Sequence, residues 1–215
     1  MVDLSEHLSL IDITQDRLEE AVEVLMSAFE HSPLMRWFFA DNEACYLVRL
    51  RALIQRECRV QLARNWPLKG IVKDTRLVGV ASIIPPETLH SPFPASLWAT
   101  AAAFFSFIGT QATNRLAAYD QFSEEYRPDE PHFYLSTLGV RPEGQGMGYA
   151  QILLDAVHLL SQAHPTSTGV ALCTGNPANL PLYQRCGYQL RGQATLDSLR
   201  VWCLFRPNSP RPLTR

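Results

Sequence analysis

The apolar positions of this chain change period several times, and each change marks an element. Residues about 8–13 alternate weakly, as a first strand would. Thr14 is a candidate N-cap, and beyond it Leu18, Ala21, Val22, Leu25, Ala28 and Phe29 fall on one helical face. His31-Ser32-Pro33 stops that helix, and an apolar cluster of Leu34, Met35, Trp37, Phe38 and Phe39 precedes a second helix over about 42–64. Residues 70–73 and 76–84 flank Asp74-Thr75 as a hairpin closed by Pro85-Pro86. Helical segments are predicted over about 95–109 and 111–127, then a strand over 132–140. In the helix at 149–163, Ile152, Leu153, Ala156, Val157 and Leu160 recur at a 3.6-residue spacing. A strand near 168–174, a short helix around Tyr183 and closing strands at about 187–192 and 199–206 complete the chain. The expected class is mixed α/β: the sheet is largely antiparallel, but the two strands joined by the 149–163 helix run parallel.

Between the 132–140 strand and its helix the chain reads Arg141-Pro142-Glu143-Gly144-Gln145-Gly146-Met147-Gly148-Tyr149-Ala150. A glycine loop that opens onto a helix N-terminus presents unpaired amides and the positive end of the helix dipole, which is a place for an anion. Glycine lets the backbone approach phosphate oxygens closely and take positive φ. The loop lacks the Lys-Ser/Thr that a P-loop requires, since Tyr149-Ala150 stand there, and G-x-G-x-x-G fails in both registers.

What fits instead is Q/R-x-x-G-x-G/A, through Gln145, Gly148 and Ala150, which resembles the acetyl-CoA signature of the GNAT superfamily of N-acetyltransferases. Downstream, Asn176-Pro177-Ala178-Asn179-Leu180-Pro181-Leu182-Tyr183-Gln184-Arg185-Cys186-Gly187-Tyr188 resembles that superfamily's N-x-x-x-Y-x-x-x-G-F/Y helix. The two motifs stand in the right order, roughly 30 residues apart, as a βαβα layout places them. With Val201-Trp202-Cys203-Leu204-Phe205-Arg206-Pro207, the C-terminal third looks most like the puromycin N-acetyltransferase-like branch. The likeness covers about residues 130–207 well and the rest loosely.

The resemblance implies an α+β GNAT fold of about 6–7 strands, splayed in a V between its two parallel strands and flanked by helices. It also implies direct acetyl transfer from acetyl-CoA to a primary amine of a small molecule. The amides of Gln145, Gly146, Met147, Gly148, Tyr149 and Ala150 would take the pyrophosphate of CoA. The main chain of Leu138, Gly139 and Val140 would pair with the pantetheine arm, and an N–H near Leu138 would face the oxyanion. Asn179 would contact the CoA arm. Tyr183 would protonate the departing thiolate; a phenol near 10 and a thiol near 8.5 are close enough for that exchange. The same residues admit plainer readings, Tyr183 as a core aromatic and Asn179 as a turn residue. For the base, His132 has the imidazole chemistry, with Tyr134, Glu124, Glu125 or a water chain as alternatives. A protein or peptide amine remains open as acceptor, as does a CoA-binding regulatory module without turnover. Trp37, Phe38, Phe39, Trp98, Phe104, Phe105 and Phe107 suggest an acceptor with an apolar or aromatic body.

With 215 residues and 47% hydrophobic content the chain can bury a full core. It reads as one domain over 1–208 with a frayed tail at 209–215. A net charge of −2 gives no footprint for nucleic acid or an anionic membrane. The acidic N-terminus does not read as a secretion signal, and the apolar window at 94–108 is shorter than the roughly 20 residues that span a bilayer. The five cysteines, Cys45, Cys58, Cys173, Cys186 and Cys203, show no metal spacing, and their odd number argues against a disulfide framework. Cys173 and Cys186 read as packing residues. Arg49, Arg51, Arg56 and Arg59 read as a solvated helix face. The expected protein is cytoplasmic, metal-free, and a monomer or homodimer.

Overall fold

A computed structural model describes residues 7–39, 43–88 and 98–209. In chain order the elements are β1 (Leu8–Asp12), α1 (Leu18–Phe29), α2 (Pro33–Phe38), α3 (Tyr46–Ala63), β2 (Leu68–Lys73), β3 (Arg76–Ile84), α4 (Trp98–Ile108) and α5 (Thr110–Glu125). They continue with β4 (Phe133–Val140), α6 (Tyr149–Ala163), β5 (Gly169–Thr174), α7 (Leu180–Arg185), β6 (Gln189–Leu196) and β7 (Leu199–Pro207). The strands form one sheet in the order β1-β2-β3-β4-β5-β7-β6. Every neighbouring pair is antiparallel except β4 and β5, as the helical crossover between them requires. The expected mixed, mostly antiparallel sheet flanked by helices is the one found.

The amphipathic helices seal the two faces. α1 turns Leu18, Ala21, Val22 and Leu25 inward against β3 and β4, joining a core that also takes in α2, α3, α4 and α5. On the other face Leu153, Leu154 and Val157 of α6 pack on Phe133, Leu135, Val170 and Leu172, with Tyr183 and Tyr188 closing the same core. α1 lies tight on β4: a Cβ at Gly139 would stand 2.8 Å from Leu25 Cδ2 and 3.0 Å from the Ala28 Cβ. The β2–β3 hairpin turns at Asp74 with φ 58°, a left-handed conformation that Asp tolerates.

Several elements differ from expectation. The apolar cluster after Pro33 is itself helical, because Pro33 stands in the first turn of α2, where a missing N–H costs nothing. The second long helix begins at Tyr46, and its expected start at 42 lies outside the described residues. The same holds for the start of the apolar window before Trp98 and for the tail from 210 onward. β6 runs on to Leu196, past a bulge between Leu190 and Gly192, where the Tyr126 ring occupies the space a Cβ at Gly192 would need. Cys173 and Cys203, read as unbridged, are joined by a disulfide. They are cross-strand partners of β5 and β7, a register that a separation of 30 residues in sequence does not reveal. Cys45, Cys58 and Cys186 form no disulfide.

Candidate functional site

The parallel pair is where the sheet opens. β4 and β5 are in register only at Phe133↔Val170 and Tyr134↔Ala171. Beyond Leu135 the strands part, while β4 stays paired to β3 as far as Val140. Leu138, Gly139 and Val140 therefore have a strand on one edge and a gap on the other. A cleft of about 730 Å³ fills that gap and reaches both faces of the sheet.

On the α6 face the wall is the glycine loop. The amides of Gly144, Gln145 and Met147 close turns onto the carbonyls of Arg141, Pro142 and Gly144. Those of Tyr149, Ala150 and Gln151 belong to the first turn of α6, where no intrahelical acceptor exists, and all three residues line the cleft. Gly148 caps the helix at φ 85° and ψ −1°, and Gly146 has φ 79°. A Cβ at either position would meet nothing within 4 Å, so the backbone conformation demands glycine while the space in front stays open for a ligand. This is a cradle with unpaired amides aimed at an anion. Gln145, Gly146, Gly148, Tyr149 and Ala150 line it, whereas Met147 is 58% exposed and is not on the wall. The Gln145 amide folds back to donate to the Val140 carbonyl at 3.2 Å, leaving Arg185 of α7 as the cation on the cleft wall among the described residues.

α7 begins from a built turn. Asn176 Oδ1 accepts from the Ala178 amide at 3.1 Å, and the Asn179 amide returns to the Asn176 carbonyl. That turn sets Asn179 and Tyr183 on the cleft wall opposite β4. Tyr183 is 7% exposed, and its ring meets Tyr188 edge-on at 5.6 Å. Burial, with smaller contributions from Cys186 and Tyr134, raises its phenol to about 12.

On the α1 face the wall comes from Ser27, Ala28 and Phe29 at the end of α1, from His31 and Ser32, from Leu34 and Met35 of α2, and from Tyr119 of α5. The Tyr119 hydroxyl donates to the Cys173 carbonyl at 3.3 Å, and burial holds its phenol well above the usual value.

The structure does not bring every sequence candidate to this place. Leu138 and Tyr183 share the cleft; His132 does not line it. His132 is buried at the paired end of β4, with its Nδ1 2.8 Å from the Glu130 carbonyl and its ring edge-on to Phe205. Tyr134 packs beneath the Arg127 guanidinium, which lies 4.1 Å from its ring centre, and its hydroxyl shares a 3.0 Å hydrogen bond with Ser123. Glu124 is exposed and paired with Arg127, and Glu125 is exposed on α5. Trp37, Phe38, Phe39 and Phe104 are core residues, Phe105 and Phe107 face solvent, and the Trp98 side chain lies outside the described residues. Arg51 pairs with Glu23 and Arg56 with Glu57, away from the cleft. Sequence reading missed His31, which carried only the signal of a helix stop, and Tyr119, which sits in a helix of mostly polar residues.

No group of three or more potential metal ligands exists among the described residues, and no described helix is long and apolar enough to cross a membrane. The fold matches that of an acetyltransferase from Corynebacterium glutamicum, described as histone acetyltransferase HPA2 and related acetyltransferase, with a TM-score of 0.69 at 20% identity, over 96% of this chain and 99% of that one. A polyamine N-acetyltransferase of Drosophila melanogaster that forms N-acetylagmatine matches with a TM-score of 0.64 at 16% identity, over 94% and 100%. A mosquito arylalkylamine N-acetyltransferase-like protein matches at 0.62 and 14%, over 94% and 100%. In sequence, residues 18–188 match the profile of the Acetyltransferase (GNAT) family, a span that takes in α1, the glycine loop and Tyr183. The chain belongs to the GNAT acetyltransferase family.

Proposed function

We propose that the protein is an N-acetyltransferase that moves an acetyl group from acetyl-CoA directly to the primary amine of a small molecule. The observation that carries this is the cleft itself, which opens on the amides of α6 at one face and holds Tyr183 beside the unpaired edge of β4. Acetyl-CoA supplies an activated thioester and a thiolate leaving group. The amides of residues 148–151, with the dipole of α6 behind them, hold the diphosphate, and Arg185 adds a positive charge at the same wall. The free edge of Leu138, Gly139 and Val140 aligns the pantetheine arm as an added strand, and a main-chain N–H near Leu138 meets the developing oxyanion. Asn179 borders the arm.

Tyr183 delivers a proton to the sulfur as the C–S bond breaks. With a phenol near 12 it is fully protonated at neutral pH. A thiolate formed in the same dry space is raised by the same desolvation, so the two groups stay closer in proton affinity than their values in water suggest. The ammonium of the acceptor must lose a proton before attack. His31 is the imidazole that lines the cleft, and it serves as the base in place of His132, one of the candidates in the sequence. A cytoplasmic setting and a kinship of the C-terminal motifs with the puromycin-acetylating branch belong to the same reading.

The test is release of free thiol from acetyl-CoA in the presence of a panel of primary amines, paired with Tyr183→Phe. Turnover that falls in the variant while acetyl-CoA affinity holds supports the assignment. Absence of acetyl-CoA binding by calorimetry would overturn it.

A further inference from the structure

We infer that the acceptor is a primary amine carried on an uncharged, apolar body, and that the site discriminates against amines with a second positive charge. This rests on the acetyltransferase reading above and narrows its substrate. The cleft crosses the sheet through the gap between β4 and β5, so its two ends are chemically separate. The loop, α6 and α7 occupy one face. The opposite face is left for the acceptor, and its wall is Phe29, Leu34, Met35, Tyr119 and the disulfide-bonded Cys173, with Ser27, Ser32 and His31 toward the rim.

The decisive feature of that wall is its charge. Among the described residues lining the whole cleft there is no Asp, Glu or Lys; the ionisable side chains are His31, Arg185 and buried or bonded groups. Tyr119 is held neutral by burial. The acid nearest in sequence, Glu30, does not line the cleft and lies within electrostatic reach of Arg36 and Tyr46. Among the described residues of this arm, a second ammonium or guanidinium would leave water without a carboxylate to receive it, and an unpaired charge in an apolar setting is strongly disfavoured. A methylene or aromatic body meets Phe29, Leu34 and Met35, surfaces that gain from its burial. The contrast with an enzyme that forms N-acetylagmatine on the same fold is that agmatine carries a guanidinium, which needs an acidic partner.

The test compares hexylamine with hexamethylenediamine, which differ only in the second ammonium, with 2-phenylethylamine and agmatine as a second pair. Thiol release is measured at neutral pH with saturating acetyl-CoA. The expected kcat/KM is higher for hexylamine and 2-phenylethylamine by at least about tenfold. Ser32→Asp places a carboxylate on this wall at the N-cap of α2, a position where Asp is as favourable as Ser, so the fold is retained. It should move the diamine-to-monoamine ratio about tenfold toward the diamine. A wild-type preference for hexamethylenediamine or agmatine, with turnover otherwise normal, refutes this inference and leaves the acetyltransferase reading standing. Acetyl-CoA binding without turnover of any of the four amines refutes both.

Discussion

Gly148→Ala isolates the backbone's share in building the donor site. Gly148 is left-handed, and a methyl group added there would touch nothing within 4 Å, so no packing effect obscures the result. The left-handed region costs an L-residue about 1–2 kcal/mol, against which a more restricted unfolded chain returns roughly 0.4–1 kcal/mol. The net expectation is destabilisation of about 1 kcal/mol, or a fall in Tm of about 2–4 °C for a chain of this size. If the loop relaxes by rotating the substituted residue out of the left-handed region, the first amides of α6 turn from the cleft and KM for acetyl-CoA rises. Gly148→Asn is the control, since Asn enters the left-handed region more readily and should lose less than Ala on both measures. Urea unfolding reads the stability and thiol release reads KM. An Ala variant at least as stable as the wild type with unchanged KM, or an Asn variant more damaged than Ala, would refute the assignment of strain to this residue.

Tyr183→Phe should lower kcat by about 10²-fold with little change in KM for acetyl-CoA, because it removes a proton donor and leaves the ring packing with Tyr188. Arg185→Ala should raise KM for acetyl-CoA, most at low ionic strength, where a screened charge counts for more. His31→Gln should depress kcat/KM with little change in acetyl-CoA affinity, whereas His132→Gln should leave kcat/KM near the wild-type value. Burial, reinforced by Arg206 and opposed by Asp155, lowers His158 to about 4, with its Nε2 3.1 Å from the Tyr188 hydroxyl. The unfolded chain therefore binds a proton that the folded one refuses between about 6.5 and about 4, and this contribution to stability is present above that window and lost as pH falls through it. Its size is roughly 3–3.5 kcal/mol, and the difference between wild-type and His158→Gln unfolding curves over pH 4–7 separates it from carboxylates that titrate nearby.

The glycine loop and the helix after it were legible in sequence because they are local. The 3.6-residue period of 149–163 fixes α6 to the residue, and Gly146 and Gly148 stand where positive φ occurs. The β2–β3 hairpin announced itself through Asp74-Thr75 and the prolines after it. The wall on the α1 face was only partly legible, since it is assembled from the end of α1, the start of α2 and one turn of α5, which only the sheet brings together. His31 has no periodic or motif context, so nothing in the chain distinguishes it from any other histidine. The aromatic residues of 37–39 looked like a binding surface, yet they are buried in the core, where large apolar side chains contribute most to stability. The Cys173–Cys203 bond and the length of β6 depend on strand register, which long sequence separations conceal.

The widening between β4 and β5 makes the sheet a partition with a single opening. In the proposed reading the residues that hold acetyl-CoA fall between Leu138 and Arg185, while the amine is met from 27–35, from Tyr119 and from Cys173, on the far side of that partition. Under the proposed function, substitutions at Ser27, Leu34 or Met35 that leave His31 in place should therefore change the preferred amine while acetyl-CoA affinity holds, so that amine choice and carrier binding can be adjusted separately.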